Sequence, residues 1–515
     1  MNYLRILIKE RPLAVILTIA ALIRIVAVLF SKGWGMHDDH FLVIEPAQSW
    51  IDGVDYNSWL PMFNKTAVPS GHSLLYSGIH YLLFSFFESI GIRDPQSKMY
   101  ILRFIHGLLS LSVVYWGFKI TEKLSDVKTA FLSGLLIAIF WFMPFMSVRN
   151  LVELVCIPFL IWSLWLIIKK DGNAGLITFF VSGFIMAIGF SFRFQTITFA
   201  AGLGLVLLIQ KKWKEALVFG LGYGASVALI QGGIDYYIWQ KPFAEFMEYT
   251  RYNMANANEY ITNSWYTYIL LVLGLLIPPV SVFLSFGFFR MWKKHLIIFL
   301  PTLIFFAFHS IFPNKQERFI IPAIPFIIIL GIIGWEEFRQ KSLFWINRPA
   351  LLKASWTFFW SVNIIMLIPV STMYSKRARV ESMSYLSKYT GIGTILLEDA
   401  NHDVVKYPPE FYLHQWVTVD VINISHTWEA YQAKIEENPI ENQARFILFF
   451  EEANLQLRVN RLKTLIPDLV FETKIEPGLM DKILYWLNPL NANQTIYIYR
   501  NTDFFPQKKD SGRPR

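Results

Sequence analysis

The sequence predicts a polytopic α-helical membrane protein that carries a small α/β domain at its C-terminal end. Its 515 residues are 54% hydrophobic and only 17% charged, whereas soluble domains contain about 25% charged residues. About eleven apolar runs approach the length of roughly 20 residues that a membrane-spanning helix needs. Beyond about residue 375 the chain mixes polar and apolar residues in short runs. These three observations together predict the fold class.

The basic residues between the apolar runs predict the orientation of the chain. Lys and Arg are enriched in cytoplasmic loops because moving them across the membrane is costly. Arg5, Lys9 and Arg11 therefore place the N-terminus in the cytoplasm, and every second loop after the first span has its own basic cluster. The predicted spans are 12–31, 99–118, 129–147, 150–168, 175–193, 196–210, 214–234, 265–288, 295–312, 319–336 and 353–373.

The segment 69–92 is apolar enough to resemble a further span. Counting it as one would move every later basic cluster to the outside. We therefore predict that it is an amphipathic helix at the outer surface, within a first external loop of about 32–98. The transmembrane domain then covers residues 1–374, and the C-terminus lies on the extracytoplasmic, periplasmic or lumenal, side.

The C-terminal region shows the alternating patterns of a soluble α/β domain, predicted to cover 375–505. The tail 506–515 contains no apolar residue and is predicted to be disordered. The domain's strand-like runs are Gly393–Leu397, Arg445–Phe450 and Thr495–Tyr499, and its helical patterns lie near Thr427–Glu436 and Leu455–Thr464.

Composition also excludes some functions. The formal net charge is +9, but the basic residues form loop clusters and not a stripe with exposed aromatics, so nucleic-acid binding is not expected. The partners expected around the apolar spans are membrane lipids. Cys156 is the single cysteine, so an intrachain disulfide is impossible and a small core residue is the simpler interpretation.

An acidic cluster follows the first span, where His37, Asp38, Asp39 and His40 are succeeded by Glu45. A partly desolvated carboxylate acts as a general base toward a hydroxyl, whereas a solvated acidic turn is an equally good interpretation of the pattern. The His and Asp residues also suggest a metal site. Their spacing is too short for one regular geometry, so no metal or other cofactor is the favoured expectation.

A second cluster lies between the ninth and tenth spans, where Lys315, Glu317 and Arg318 occur together. Two basic residues on the outer side contradict the positive-inside trend. Binding of an anionic phosphate explains them best. The alternative is that two long side chains extend to the interface.

Two further clusters lie at the outer ends of spans. Arg149, Glu153 and Arg193 either form a structural ion-pair network between helices or line a cavity. Asp235, Tyr237 and Asn253 belong to an aromatic-rich segment after the seventh span. That segment is typical of an interfacial belt, and its residue types also suit a sugar-binding cleft.

These clusters, in this order, resemble glycosyltransferase family 22, the Alg9-like mannosyltransferase family that includes the GPI and N-glycan mannosyltransferases. The family's first-loop His-Pro-Asp-Glu motif is similar to His37-Asp38-Asp39-His40, with His40 in place of the Glu. Its His-Lys-Glu-Glu-Arg-Phe motif is similar to Asn314-Lys315-Gln316-Glu317-Arg318-Phe319. Three further segments of the chain show weaker similarity to the family: Ser147–Glu153, Asp235–Trp239 and Tyr252–Asn253.

The resemblance implies a C-type glycosyltransferase fold and transfer of a sugar, with mannose the first choice, by an inverting single displacement. The implied partners are a polyprenyl-phosphate-linked donor and a lipid- or glycan-linked acceptor hydroxyl. Asp39 is the implied catalytic base. The implied substrate-binding residues are His37, Asp38, His40, Glu45, Arg149, Glu153, Arg193, Asp235, Tyr237, Asn253, Lys315, Glu317 and Arg318. The alternatives are a transporter or flippase of lipid-linked glycans and a scaffold with an external binding domain.

Overall fold

The computed structural model describes residues 2–259, 262–403, 406–437, 443–491 and 493–503. The tail 506–515, predicted to be disordered, lies outside the described residues. The chain divides by its contacts into two units. The first comprises the described parts of Met1–Phe30, Gly53–Phe86 and Tyr100–Thr372, and the second those of Ser31–Asp52, Phe87–Met99 and Met373–Arg515. We call these the helical unit and the sheet unit.

Apolar helices make up the helical unit, because a backbone surrounded by apolar residues satisfies its hydrogen bonds most readily within a helix. Two of the helices, Leu74–Ser89 and Pro95–Leu124, also contribute residues to the sheet unit. The remaining α-helices are Asn2–Glu10, Pro12–Leu29, Val127–Ile139, Met143–Ser147, Val152–Val155, Ile157–Ile168, Leu176–Phe192, Ile197–Ile209, Trp213–Val227, Gly233–Trp239, Ala244–Ala255, Thr267–Leu275, Val280–Arg290, Leu296–Ile311, Ile324–Lys341, Leu343–Ile346 and Pro349–Ser371.

Glycines allow two pairs of these helices to pack backbone against backbone. A Cβ atom at Gly183 would lie 2.1 Å from the carbonyl oxygen of Phe219, and one at Gly222 would lie 2.0 Å from that of Phe180. Gly287 approaches the helix that contains Gly331 equally closely. Small residues at such contacts are the usual basis of helix association in membranes, where apolar side chains gain little by leaving lipid.

The predicted spans correspond to helices, several of which are interrupted and one of which is sharply bent. Five described helices are long and apolar enough to cross a membrane, and five others are apolar but shorter. The predicted span 265–288 consists of two helices, Thr267–Leu275 and Val280–Arg290, bent by 120°. Pro278 and Pro279 occupy the break, where they lack the N–H groups that a continuous helix uses. The number of eleven crossings stays a prediction.

A five-stranded mixed sheet forms the core of the sheet unit. The strands are β1 Thr394–Glu398, β2 Thr418–Ile422, β3 Phe446–Phe450, β4 Leu469–Ile475 and β5 Ile496–Asn501. Their order in the sheet is β2-β1-β3-β5-β4; strands β1 to β3 are parallel, and β5 pairs antiparallel with β3 and β4. The α-helices are His37–Phe41, Ile44–Ile51, Arg377–Leu386, Trp428–Glu437, Leu455–Lys463 and Leu479–Leu487.

The predicted α/β character of the C-terminal region is confirmed. The three predicted strands match β1, β3 and β5, and both predicted helices are present. Strands β2 and β4 were not predicted, because β2 is partly exposed and β4 is buried at only one of its seven positions. The segments 31–52 and 87–99 group with this region by contacts, although the sequence assigned them to the transmembrane domain. The domain boundaries and the interfacial position of 69–92, where Leu74–Ser89 is helical, stay predictions.

Candidate functional site

Three charged residues of the helical unit lie where helices are interrupted. Glu153 belongs to the short helix Val152–Val155, which ends just before Pro158. Arg193 has an extended backbone between the helix Leu176–Phe192 and a 3₁₀ turn. Arg318 lies in the 3₁₀ helix Glu317–Ala323, which contains Pro322. Interrupted helices leave backbone and side-chain polar groups away from the regular hydrogen-bond ladder, which membrane proteins tolerate at cavities and sites.

These three side chains form a buried cluster of one carboxylate and two guanidinium groups. Arg193 Nη1 lies 2.5 Å from Glu153 Oε1, and Arg318 Nε lies 3.6 Å from the same oxygen. One carboxylate thus faces two guanidinium groups, all at most 8% exposed. Glu153 Oε2 and Arg193 Nε and Nη2 have no hydrogen-bond partner within the described residues. A buried unpartnered charge is costly, so the cluster is suited to an additional anion.

Two basic residues that are close in sequence to Glu153 and Arg318 are also buried. The Arg149 guanidinium lies 4.5 Å from the Phe145 ring centre. Lys315 donates to the carbonyl of Phe312 at 2.5 Å, and desolvation lowers the pKa of its ammonium group. Arg318 donates twice to Gln316 Oε1. Glu317 is exposed, so the structure does not bring it into this cluster.

A cavity of about 200 Å³ extends along the same helices of the helical unit. Its wall is mainly aromatic and includes Phe194, Phe246, Phe308 and Phe319. Its polar members are chiefly Asn253, His309 and Asn314. The buried atoms His309 Nε2 and Asn314 Oδ1 have no hydrogen-bond partner in the described part of the chain. The cavity therefore combines an apolar surface with a few polar atoms able to bind a ligand.

Asp235 supports a nearby loop through buried hydrogen bonds. It accepts from Gln231 and from the backbone N–H of Glu245, at 2.9 and 3.1 Å. Glu245 in turn accepts from Ser70 Oγ and Gly71 N, at 3.0 and 2.7 Å. Burial raises the pKa of Glu245 to about 7. Tyr237 points away from this network and is 83% exposed.

In the sheet unit, backbone amides hold the Asp39 carboxylate at the start of the helix His37–Phe41. Gly35 N donates to Oδ2 at 3.0 Å and Met36 N donates to Oδ1 at 3.2 Å. Asp39 is 4% exposed, whereas Asp38 is partly buried and His37 is exposed and stacks on Phe41 at 4.5 Å. These two hydrogen bonds fix the orientation of the carboxylate.

His40 and Glu45, which follow Asp39 in the sequence, form a fully buried pair. His40 Nε2 lies 2.9 Å from Glu45 Oε1, and both side chains are 0% exposed. The His40 ring stacks between Trp34 and Tyr412, with ring centres at 4.8 and 5.7 Å. Glu45 Oε2 also accepts from the backbone N–H of Phe411 at 2.9 Å.

The environment of Glu45 favours its protonated form. Burial, followed by the charge of Glu410, raises the pKa of Glu45 well above its ordinary value, against the effect of the Phe411 N–H. Because both partners are buried, the pair positions the segment that bears Asp39. The predicted substrate-binding role of His40 and Glu45 stays a prediction.

Some residues of these sites were not among the predicted site residues. His309 and Asn314 precede the basic pair Lys315 and Arg318 in the sequence, and their polar character beside an apolar run was the available signal. Glu245 lies in a polar segment whose sequence gives no sign that its carboxyl group is buried. Within the described residues, no group of three or more His, Cys, Asp or Glu side chains could hold a metal ion. The expectation of a metal-free site stays a prediction.

Residues 15–414 match the family model of the Alg9-like mannosyltransferases. This chain belongs to that family. The chain is 29% identical over 168 residues to the Dol-P-Man:Man(7)GlcNAc(2)-PP-Dol alpha-1,6-mannosyltransferase of Saccharomyces cerevisiae. This aligned region covers 30% of this chain and 29% of that enzyme. It is 22% identical over 392 residues to GPI mannosyltransferase 3 of Yarrowia lipolytica, which covers 74% of this chain and 72% of that protein. The predicted family is thus confirmed.

A solved structure shows the same fold. ArnT of Cupriavidus metallidurans, crystallised with undecaprenyl phosphate, superposes with a TM-score of 0.61 at 11% sequence identity. The superposition covers 96% of this chain and 99% of ArnT. The protein therefore has the C-type glycosyltransferase fold and is a multi-pass membrane protein, as predicted.

Proposed function

We propose that this protein is a membrane mannosyltransferase that uses a polyprenyl-phosphate-linked donor and a lipid- or glycan-linked acceptor. In the reaction, the acceptor oxygen bonds to C1 of the sugar while the bond from C1 to the phosphate oxygen breaks, with inversion at C1. The acceptor proton goes to a base and the polyprenyl phosphate leaves. Membership of the Alg9-like family and the Dol-P-Man donor in the name of the yeast relative support this proposal over a transporter.

The observation that carries the proposal is the set of buried Arg193 N–H groups beside Glu153 that have no hydrogen-bond partner within the described residues. The departing phosphate gains negative charge as the bond breaks, and fixed cations stabilise such charge strongly in a desolvated site. These N–H groups belong to Nε and Nη2 of Arg193, and Arg318 reaches the same Glu153 carboxylate as Arg193. We assign the donor phosphate to this cluster, with the buried Lys315 contributing to the local positive potential.

The aromatic cavity suits the apolar part of the donor. Its lining includes Phe319 and Asn314, the neighbours of Arg318 and Lys315 in sequence. An isoprenoid chain buries apolar surface against phenylalanine rings, at about 25 cal/mol per Å². His309 Nε2 and Asn314 Oδ1 are polar atoms in the same wall that suit sugar hydroxyls as hydrogen-bond acceptors.

Asp39 is the group that we assign as the base. Two backbone N–H groups fix its carboxylate, and each carboxylate oxygen can accept more than one hydrogen bond. His40 and Glu45 are positioning residues in this proposal, because they are fully buried and hold the surrounding segment. A positioned base contributes roughly 100- to 10,000-fold in rate.

The proposed orientation places the N-terminus in the cytoplasm and both clusters on the extracytoplasmic side. Cys156 is buried and so reacts poorly with reagents that do not cross membranes. Cysteines introduced at the exposed positions Glu317 and Lys128 therefore test the orientation in sealed vesicles. The proposal expects external labelling at 317 and protection at 128, and the opposite result contradicts it.

The activity is tested by reconstituting the purified protein in liposomes with radiolabelled polyprenyl-phosphate mannose and a panel of lipid-linked glycans. We expect lipid-dependent transfer of label to an acceptor and no transfer from a nucleotide sugar. Lys315→Ala and Arg318→Ala should raise the KM for the donor. Movement of intact glycan across the bilayer without a new glycosidic bond would instead establish a transporter.

A further inference from the structure

One helix of the sheet unit, Leu479–Leu487, has exposed apolar side chains on one side and a buried carboxylate on the other. The Asp481 side chain is 1% exposed. Four apolar side chains are exposed, at 75, 38, 80 and 65%, and they belong to Leu479, Ile483, Trp486 and Leu487. Helices at the surface of soluble domains have the reverse arrangement, with the apolar face toward the core. We call these four residues the apolar face.

The spacing of the four residues places them on a single face of the helix. Counted from Leu479 they occupy positions i, i+4, i+7 and i+8, which lie on one side of a helix with 3.6 residues per turn. Lys482 borders this face, and its side chain is 52% exposed. Single exposed apolar residues are common on protein surfaces, whereas a contiguous apolar face marks contact with another molecule or with a membrane.

Hydrogen bonds fasten this helix to the segment that follows the apolar helix Pro349–Ser371. The Asp481 carboxylate accepts from the backbone N–H groups of Lys376 and Arg377, at 3.0 and 2.9 Å. Just after the helix, Asn491 O and Asn493 Oδ1 accept from the Lys376 ammonium group, both at 3.0 Å. These bonds explain why the charged residue of the helix faces inward.

The covalent chain keeps the fastened helix close to the end of an apolar helix. Pro349–Ser371 is long and apolar enough to cross a membrane. Five residues lead from Ser371 to Lys376, and an extended chain advances at most about 3.6 Å per residue. Lys376 is therefore within about 18 Å of the end of that helix. The helix Leu479–Leu487, which is bonded to Lys376, is thus within reach of the lipid head groups.

The residue types of the apolar face favour lipid over a second protein. Leucine and isoleucine partition among acyl chains, and tryptophan concentrates at the level of the head groups. The long side chain of Lys482 can extend its ammonium group to lipid phosphates. A stable protein–protein interface takes about 20–30 residues from each partner, whereas this helix offers four exposed apolar side chains. A second copy of the chain is therefore the poorer occupant.

We propose that the helix Leu479–Leu487 lies in the membrane interface, with its apolar face among the acyl chains and Lys482 at the head groups. The leaflet is the one at which Ser371 ends, because a reach of about 18 Å is shorter than the hydrocarbon core of about 30 Å. The sheet unit, which contains Asp39, gains a membrane attachment in addition to its covalent connections. This inference concerns attachment and does not depend on the proposed reaction.

The test measures the depth of a nitroxide spin label in the full-length protein. The protein is reconstituted at one molecule per nanodisc of phosphatidylethanolamine and phosphatidylglycerol. Ile483→Cys and Trp486→Cys supply the labelling sites, since the native Cys156 is buried. Both labels should be accessible to O₂, which concentrates among acyl chains, and protected from a water-soluble nickel chelate. The expected depth is about 5–10 Å into the boundary between head groups and acyl chains.

The matched control is a label at Leu457→Cys. Leu457 is an apolar residue of the sheet unit that is 70% exposed, and it shares its helix face with the exposed Arg461, four residues later. Its label should be accessible to the nickel chelate. Nickel accessibility at 483 and 486 equal to that at 457 overturns the proposal, because the apolar face would then be in water.

A second variant distinguishes lipid from protein as the cover of the apolar face. Trp486→Glu, added to the protein labelled at 483, should expose that label to the nickel chelate, because a carboxylate resists insertion among acyl chains. Leu457→Glu should leave the same label protected. Protection at 483 that Trp486→Glu does not change overturns the proposal, since protein would then cover the label. A nanodisc with one molecule contains no second copy, and neither measurement uses turnover.

Discussion

The buried charges of the helical unit and of the sheet unit are stabilised in different ways. In the sheet unit, Asp39 and Glu45 accept hydrogen bonds from backbone N–H groups, and Lys98 is bonded by a carboxylate and an amide. In the helical unit, two guanidinium groups share one carboxylate, and buried polar atoms of Arg193 and Glu153 have no partner among the described residues.

This difference indicates which region is prepared for an anionic ligand. Removing a charge from water costs several kcal/mol, and only well-placed partners recover that cost. The sheet unit supplies such partners from its own backbone, so its charges serve mainly to fix geometry. The helical unit leaves part of the cost unrecovered, and an incoming phosphate would recover it.

The largest expected effect concerns Asp39. Asp39→Asn should reduce transfer roughly 100- to 10,000-fold, because the amide cannot take the acceptor proton. The rate is measured with saturating donor and acceptor in liposomes.

The matched control is Asp126→Asn. Asp126 also accepts two backbone N–H groups at a helix start, at 2.9 and 3.0 Å, but it belongs to no proposed site. This variant should change the free energy of unfolding little, because Asn caps a helix about as well as Asp, and it should keep its activity. Near-normal turnover by Asp39→Asn would contradict the assignment of the base.

The next effect tests the Arg193 guanidinium of the helical unit. Arg193→Met should raise the KM for the polyprenyl-phosphate donor roughly 10- to 150-fold, since a hydrogen bond to a charged group contributes about 1.5–3 kcal/mol. Arg339→Met removes an arginine that pairs with Glu336 outside the cluster and should leave the donor KM as it is.

Glu153→Gln sharpens the comparison further, because it leaves both buried guanidinium groups without their carboxylate. The thermal midpoint should fall, in line with a loss of roughly 3–5 kcal/mol for a broken buried pair. Polyprenyl phosphate should then raise the midpoint of Glu153→Gln more than that of the unmodified protein. An equal increase for both proteins would indicate that the cluster does not bind the phosphate.

A smaller effect concerns pH and compares one carboxyl group in each unit. Burial raises the pKa of both Glu245 and Glu410 from 4.5 to about 7. The folded protein therefore binds these protons more tightly than the unfolded chain. The stability that this binding gives is greatest below pH 4.5 and is lost as the pH rises to about 7.

Thermal midpoints measured from pH 5 to 8 should accordingly fall, by the equivalent of about 1–3 kcal/mol for each group. Glu245→Gln and Glu410→Gln should each flatten the pH dependence, and Glu122→Gln, which replaces a partly exposed glutamate, should leave the slope as it is. A slope that is identical in all three variants would contradict the burial argument.

The smallest expected effect concerns Tyr237. Because its side chain is 83% exposed, Tyr237→Ala should change the free energy of unfolding by no more than about 0.5 kcal/mol. Asp235→Asn, two residues earlier, should lower the free energy of unfolding by more, since Asp235 is fully buried and accepts hydrogen bonds from both Gln231 and Glu245. Equal costs would mean that the buried network contributes little to stability.

The sequence by itself determined the membrane class, the positions of most helices and the family. Long apolar runs have few alternatives to a helix in a membrane, and the clusters around Asp39 and Arg318 are local in sequence. The bend at Pro278 was not predicted, since it depends on where the folded chain turns. The strands β2 and β4 were not predicted either, because they lie at the two exposed edges of the sheet.

Tertiary structure alone decided which charges meet. Glu153, Arg193 and Arg318 are separated by at least 40 residues along the chain, and no local pattern states that two arginines share one carboxylate. The same holds for Lys98, whose ammonium group meets Gln48 from a segment 50 residues earlier. Pairing of buried charges follows from packing, because desolvation and distance set its energy and both are properties of the folded chain.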